Sequence, residues 1–226
     1  MTYSGSVNDN ILDSIRNNET DFIPNNPYIK MARGLTDTLF TIEDIDKDKS
    51  ILSVDTKTPV VLEIGSYTGE TIIEMARLNP KVNFIGVDIV FKRVVKTAVK
   101  IEKNNINNAK ILIGDGLKLL KTLHEKSISG VCVFFPDPWI KKKKKRLINE
   151  DFFNVCKLIL KDNGFVWIKT DNSNYYKSIN KQIEGMSFDV IDDYPEILKP
   201  IDYPTYFESL FKKQGEKIYR IILRAK

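Results

Sequence analysis

From residue 59 onward, apolar and polar positions follow two alternating periods. Runs that are apolar at nearly every position, 60–64 (Val-Val-Leu-Glu-Ile), 83–89 (Asn-Phe-Ile-Gly-Val-Asp-Ile), 110–114 and 130–135, predict strands buried on both faces of a parallel sheet. Stretches with helical spacing lie between them, at about 70–79, 91–104 and 116–125, so the chain reads as repeated strand-helix units. A helix is predicted over 147–161, with Leu147, Phe152, Val155, Leu158 and Ile159 largely on one face. A turn at Asn163-Gly164, a strand over 164–170 and a helix at about 174–184 follow. Two last strands, roughly 187–192 and 217–224, are separated by a Pro-punctuated loop of ~20 residues with no helical signal strong enough to join them. They are expected as an antiparallel pair at the sheet edge. The predicted fold class is α/β, a doubly wound, mostly parallel seven-stranded sheet with an antiparallel edge strand.

Residues 1–58 depart from this pattern and read as an N-terminal arm, with 59–226 as the single domain. The arm is rich in Asn, Asp, Ser and Thr and predicts short helices or turns packed on the core, partly mobile at its start. Asp44, Asp46 and Asp48 alternate as in a calcium loop, but Lys49 stands where that loop needs Gly and Asp55 where it needs Glu, which leaves a solvated acidic turn. Charge separates the two parts. The chain carries a net +5, yet residues 1–57 hold ten acidic and six basic side chains, so the domain is strongly basic and its leader acidic. Cys132 and Cys156 fall at apolar positions and read as core residues in a reducing compartment. His124, the sole histidine, sits where a helix meets a polar turn, and no Cys/His cluster suggests a metal. With no bilayer-length apolar run and no signal-peptide start, a cytoplasmic protein without membrane partners is expected.

Three carboxylates close successive strands. The first strand ends in Glu63-Ile64-Gly65-Ser66-Tyr67-Thr68-Gly69 and opens a helix, the arrangement that brings backbone N–H groups to a ligand. A dinucleotide fingerprint needs glycines at 65, 67 and 70 and fails twice; a G-x-G-x-G loop needs 65, 67 and 69 and fails once, at Tyr67. The next strand ends at Asp88, spaced to accept from ribose hydroxyls, and the third at Gly114-Asp115-Gly116, where a carboxylate can take an amino group beside a flat ring. Each acid taken alone reads as a cap or turn residue. Together they suit a cationic ligand with an amine, a ribose and an exocyclic amino group, which describes S-adenosylmethionine.

The strand 131–135 runs into Pro136-Asp137-Pro138-Trp139-Ile140 and then six basic residues, Lys141 to Arg146. Two prolines stiffen the loop and aim Asp137 beyond the strand's carboxyl end. The basic run is either a solvated face or a phosphate-neutralising surface for nucleic acid; Trp139 is either a stacking face for a base or a core anchor. Asp171, after Lys169-Thr170, and Glu208, in Thr205-Tyr206-Phe207-Glu208, are candidates to accept from guanine N1–H and N2–H₂.

Over roughly residues 59–226 the chain resembles the bacterial-type tRNA (guanine-N7-)-methyltransferases, through Phe135-Pro136-Asp137-Pro138-Trp139 with its basic stretch and Arg146-Leu147, Thr170-Asp171, and Thr205-x-Phe207-Glu208. The resemblance implies a Rossmann-like class I methyltransferase fold using S-adenosylmethionine and no metal, acting on tRNA as a monomer or homodimer. It implies that Glu63, Gly65, Gly69, Asp88, Asp115 and Asp137 line the donor site, with Asp137 catalytic. Lys141, Asp171, Thr205, Tyr206, Phe207 and Glu208 would hold substrate, and Lys143, Lys144, Lys145, Arg146, Leu147 and Ile148 would touch RNA. The chain departs from the family pattern at Tyr67 (usually Gly), Asp88 (Glu), Ile140 (Pro) and Tyr206 (Lys), and lacks the His of the basic stretch. Two rival readings are an exocyclic-amine RNA methyltransferase and a non-catalytic tRNA-binding module.

Overall fold

A computed structural model describes residues 11–17, 26–52, 57–203 and 205–226. In chain order the elements are α1 (Ile11–Arg16), α2 (Pro27–Ala32), β1 (Leu39–Thr41), α3 (Ile42–Lys47), β2 (Val60–Ile64), α4 (Glu70–Leu78), β3 (Asn83–Asp88), α5 (Phe91–Lys103) and β4 (Ala109–Ile113). They continue with α6 (Gly116–Thr122), β5 (Ile128–Phe134), α7 (Glu150–Ile159), β6 (Leu160–Thr170), α8 (Ser173–Ile183), β7 (Phe188–Ile191), α9 (Tyr206–Lys213) and β8 (Tyr219–Ala225). The strands form one sheet of order β1-β4-β3-β2-β5-β6-β8-β7. All neighbours are parallel except β8, which runs antiparallel to both β6 and β7.

The near-continuous apolar strands follow from coverage on both faces. Leu62, Ile64, Val131, Val133, Val166 and Ile168 point into one core with residues of α6, α7 and α8. Their neighbours in sequence, Val61, Cys132, Phe134 and Trp167, point into the other with α4, α5 and the arm helices. Both cysteines are buried and unpaired. The period-2 alternation thus assigns Glu63, Asp88 and Lys169 to the α4/α5 face, each at its strand's carboxyl end.

Four expectations are corrected. The sheet has eight strands rather than seven, because Leu39-Phe40-Thr41 of the arm pairs with Ile111–Ile113 and covers an edge that would otherwise be open. Three residues are too few to show a period. The loop after β7 holds a helix, α9, capped by the Thr205 hydroxyl, which accepts from Glu208 N–H at 2.9 Å. Asn163, left-handed at φ 62°, makes an irregularity within β6 rather than ending a turn before it. Asp44 is no solvated turn residue: it completes a capping box with Thr41 and accepts from Arg16 of α1. Asp55 and the start of the arm lie outside the described residues.

One buried polar group ties the long segment before α9 to the end of α4. Asn79 Nδ2 donates to Met75 C=O (2.7 Å) and to the Tyr203 hydroxyl (2.7 Å), while its Oδ1 accepts from Lys199 N–H at 2.8 Å. Asn79→Ala would remove all three side-chain bonds, at a cost of about 2 kcal/mol, and is expected to lower the thermal midpoint by roughly 4 to 8 °C in a calorimetric scan.

Candidate active site

Strand order reverses between β2 and β5: β3 and β4 lie to one side, β6 to the other. Crevices beyond the carboxyl ends at such a reversal are where open α/β sheets bind ligands. Here the Glu63–Gly69 loop follows the strand on one side of the reversal and the Asp137 loop the strand on the other, so the crevice expected there would have these loops as its two lips.

Gly65, Tyr67 and Gly69 of the first loop all adopt positive φ (78°, 52° and 80°). At Gly69 a Cβ would fall 2.3 Å from Thr97 Cγ2, so α4 reaches α5 only because that position lacks a side chain. Tyr67 holds the left-handed conformation at a cost of roughly 1–2 kcal/mol. Glu63 is 3% exposed, and its Oε2 has no hydrogen-bond partner. Burial, then the charges of Glu70 and Asp88, push its carboxyl up to about 8, against the opposing influence of Lys169 and the Ile72 backbone. An unsatisfied acid at the head of the crevice is a fitting receiver for a cation or amine.

Asp88 accepts from Val90 N–H (2.8 Å) and Tyr67 N–H (3.1 Å), with Arg93 at 3.7 Å. Burial raises its proton affinity despite these partners. Asp115 is exposed and caps α6, its Oδ1 accepting from Lys118 N–H at 2.8 Å. Ile89 was not anticipated as a site residue. It directly follows Asp88 and is 64% exposed, an apolar surface beside the acid that a flat ring could cover. The strand pattern hides it, because one more apolar residue looks like one more core residue.

On the other lip, Phe135 and Trp139 both have positive φ (52° and 39°), bracketing Asp137 between two strained residues. Phe135 N–H is tied to Lys169 C=O at 2.8 Å, and Arg146 Nε donates to Pro138 C=O at 2.6 Å. The Asp137 carboxylate is exposed and makes no hydrogen bond or ion pair with the other described residues. Trp139 is 40% exposed with Lys145 Nζ 5.3 Å from its ring centre, so it is no core anchor.

The basic stretch divides. Lys141, Lys142, Lys144 and Lys145 are exposed; the side chain of Lys143 lies outside the description. Arg146 is buried, its guanidinium 4.5 Å from the Tyr175 ring centre, and Ile148 is in the core with its N–H on the Tyr175 hydroxyl at 3.0 Å. The expected RNA contacts at Arg146 and Ile148 are therefore corrected to anchors of the loop. Leu147 is half-buried against the same core.

The expectation that Glu208 reads a base is corrected as well. Its Oε2 accepts from Lys169 Nζ at 2.8 Å, its Oε1 pairs with Lys212, and the residue is buried. Lys169, 1% exposed, also donates to Tyr203 C=O (2.9 Å) and pairs with Asp202 (2.6 Å). Nothing local marks Lys169 as the centre of this network: an apolar run ending in Lys-Thr-Asp reads as a strand emerging into solvent. Thr205 is buried as the α9 cap, whereas Tyr206 is 51% exposed and Phe207 half-buried. Asp171 is half-buried and directly follows β6, at the same carboxyl edge of the sheet as the other strand-end acids. Beside the Asp137 loop, a cleft of about 600 Å³ is lined by Ile140, Arg146, Asn172, Asn174, Lys177 and Lys181, so the positive surface continues onto α8.

This architecture defines a class. It aligns with the crystal structure of the aminoglycoside resistance methyltransferase NpmB1 at a TM-score of 0.57, with 14% identity over 82% of this chain and 94% of that one, a likeness of fold. Residues 57–221 match the model of a family described as putative methyltransferases. The tRNA (guanine-N(7)-)-methyltransferase of Ureaplasma parvum serovar 3 is 33% identical over 180 residues, covering 74% of this chain and 80% of that protein. A bifunctional glycosyltransferase/methyltransferase of Fusobacterium nucleatum subsp. nucleatum is 33% identical over 168 residues; the match takes in 70% of this chain but 26% of that longer protein. The chain belongs to the tRNA (guanine-N7-)-methyltransferase family.

Glu63 gives a pH test. It binds its proton more tightly folded than unfolded, so between the ordinary carboxylate range and about pH 8 stability falls as pH rises. Glu63→Gln removes that cost. The variant's thermal midpoint is expected to exceed the wild type's by little at about pH 4.5 and by steadily more as pH rises to about 8, levelling off above it; a difference independent of pH would refute the buried, protonated carboxyl.

Proposed function

We propose that the protein transfers a methyl group from S-adenosylmethionine to N7 of a guanine in the variable loop of tRNA. The observation that carries this reading is the unpartnered Glu63 oxygen at the strand-order reversal, opposite a strained loop that presents Asp137. The residues present fit the donor. Glu63 would take its amine, Asp88 its ribose and Asp115 its adenine amino group, with Gly65 leaving room for its approach, Gly69 seating α4 against α5 behind the loop, and Ile89 covering the ring. Bound there, the donor supplies a methyl group on a positively charged sulfur.

Guanine N7 carries a lone pair and no proton, so its attack on the methyl carbon needs no general base. The N7–C bond forms as the S–C bond breaks, and the positive charge passes from sulfur to the purine. What remains for the chain is alignment and electrostatics. Asp137 suits that work as a fixed anion beside the base that becomes cationic, held by Arg146 through Pro138 C=O and by Phe135 through Lys169 C=O. Asp171 would accept from the guanine N1–H and N2–H₂ edge. Tyr206, Phe207 and Lys141 would border the substrate, Thr205 setting α9 in place. Lys142, Lys144 and Lys145 would neutralise phosphates, together with Lys177 and Lys181 of α8. Such an enzyme would work in the cytoplasm, as a monomer or homodimer. Among the described residues no helix is long and apolar enough to cross a membrane.

The test is incubation with unmodified tRNA and methyl-labelled S-adenosylmethionine, followed by digestion to nucleosides. N7-methylguanosine is expected; a methyl group on an exocyclic amine would transfer the protein to that class, and tRNA binding without methylation would favour a binding module. Asp137→Ala should lower turnover by about 10²-fold or more while both ligands still bind. Near-wild-type turnover would remove Asp137 from the chemistry. Lys177→Ala and Lys181→Ala should each weaken tRNA binding and reduce the slope of log affinity against log salt by about 1.

A further inference from the structure

Tyr67 and Tyr206 depart separately from the residues usual at their positions, and in the structure they touch. Their rings stack at 5.4 Å between centroids and 25° between planes. Phe207 meets Tyr67 from the side at 5.0 Å, and the Arg93 guanidinium lies 4.6 Å from the Tyr67 ring centre. Arg93 also approaches Asp88, which accepts the Tyr67 N–H, so the left-handed backbone of Tyr67 is held from both its main chain and its ring. Strain of this kind persists only where the surroundings over-determine it, and it concentrates at sites where position matters.

The ring contacts do not stop at α9. Phe207 stacks on Phe211 at 6.2 Å, and Phe135 lies 5.5 Å from Phe211 and 6.4 Å from Phe207. Phe135 is the residue that turns β5 into the Asp137 loop, and it too has positive φ. One unbroken line of rings therefore joins the donor loop, through α9, to the loop that carries Asp137. Among the described residues no hydrogen bond, ion pair or ring contact joins these two loops directly.

We propose that Tyr67 is a positioning residue that couples the two halves of the site: its stack on Tyr206 and Phe207 passes the order imposed by the methyl donor to α9 and, through Phe211 and Phe135, to the Asp137 loop. The inference rests on the reading that the first loop holds S-adenosylmethionine and the second faces tRNA. Donor binding should restrain Tyr67, because its N–H is fixed on the acid assigned to the ribose. A donor-loaded protein then has less left to order when tRNA arrives, so each ligand raises the affinity for the other by the same factor.

Full-length protein is titrated with S-adenosylmethionine by calorimetry, with and without saturating unmodified tRNA, at a temperature and pH where turnover is negligible. The same is done for Tyr67→Gly, Tyr67→Phe and Tyr206→Ala. In the wild type tRNA should tighten donor binding two- to tenfold. Tyr67→Phe, which keeps the ring, should retain that factor, while Tyr67→Gly, which relieves the backbone strain, and Tyr206→Ala should each bring it close to one. A second readout follows the catalytic loop itself: in a Trp167→Phe background the fluorescence of Trp139 should shift on donor binding with Tyr67 present and not with Gly. Retention of both the factor and the fluorescence shift in Tyr67→Gly would overturn the coupling. Methylation of guanine N7 by the wild type, scored separately, decides the underlying reading, so the two can fail independently.

Discussion

Lys169 carries an ammonium group into the sheet at 1% exposure, and the form of the site follows from how that charge is answered. Desolvation of a charge costs several kcal/mol unless close partners offset it. The Glu208 carboxylate, the Asp202 carboxylate and the Tyr203 carbonyl all belong to the segment after β7, and the rings of Phe134 and Trp167 flank the charge at 5.2 and 5.3 Å. The ammonium is satisfied only when that segment lies across the end of β6. Asn79 holds the same segment from the other end, through Tyr203 and Lys199. With both ties made, α9 has one seat, and the side chains at 206, 207 and 211 reach Tyr67 and Phe135.

The same buried charge bears on Glu63, two strands away on the same face. Burial favours the protonated acid there while Lys169 favours the carboxylate. Burial outweighs the ammonium, and the carboxyl is pushed up to about 8. The exterior is arranged the other way. Lys141, Lys142, Lys144, Lys145, Lys177 and Lys181 are all exposed around the Asp137 loop, where water screens their mutual repulsion and an anionic chain would relieve it. The two sides of one strained loop thus differ in charge, with a buried acid that favours its proton on one and exposed lysines on the other.

The parallel core was legible because each strand is buried on both faces and says so in its own residues. Glu63, Asp88, Asp115 and Asp137 were legible because a polar residue closing such a strand is conspicuous in a short window. The misses share a different cause. The strand of residues 39–41 exists because β4 offers an edge, and α9 because Lys169 lies beneath it; neither condition is visible from the segment itself. Arg146 and Ile148 sit in a run dominated by exposed lysines, and only the position of Tyr175 decides that those two turn inward. Glu208 drew notice as a carboxylate near a predicted site, yet its partner is 39 residues away in sequence. Chemistry carried by one residue type at one strand end could be read, whereas chemistry carried by a contact between distant segments could not.

Tyr67 and Tyr206 extend that argument to residues that look anomalous one at a time. A bulky ring in a glycine-type loop suggests a weakened donor site, and an aromatic in place of a lysine suggests a lost phosphate contact. Stacked on each other with Arg93 alongside, they form instead a single contact that a glycine and a lysine could not make. Each accounts for the other: the ring of Tyr67 needs a flat partner to be held in its left-handed conformation, and Tyr206 at the exposed start of α9 needs an apolar surface to rest on. Departures from a family pattern that fall on opposite lips of one crevice are therefore best weighed in pairs, since the unit that binds and orders is the contact and not the residue.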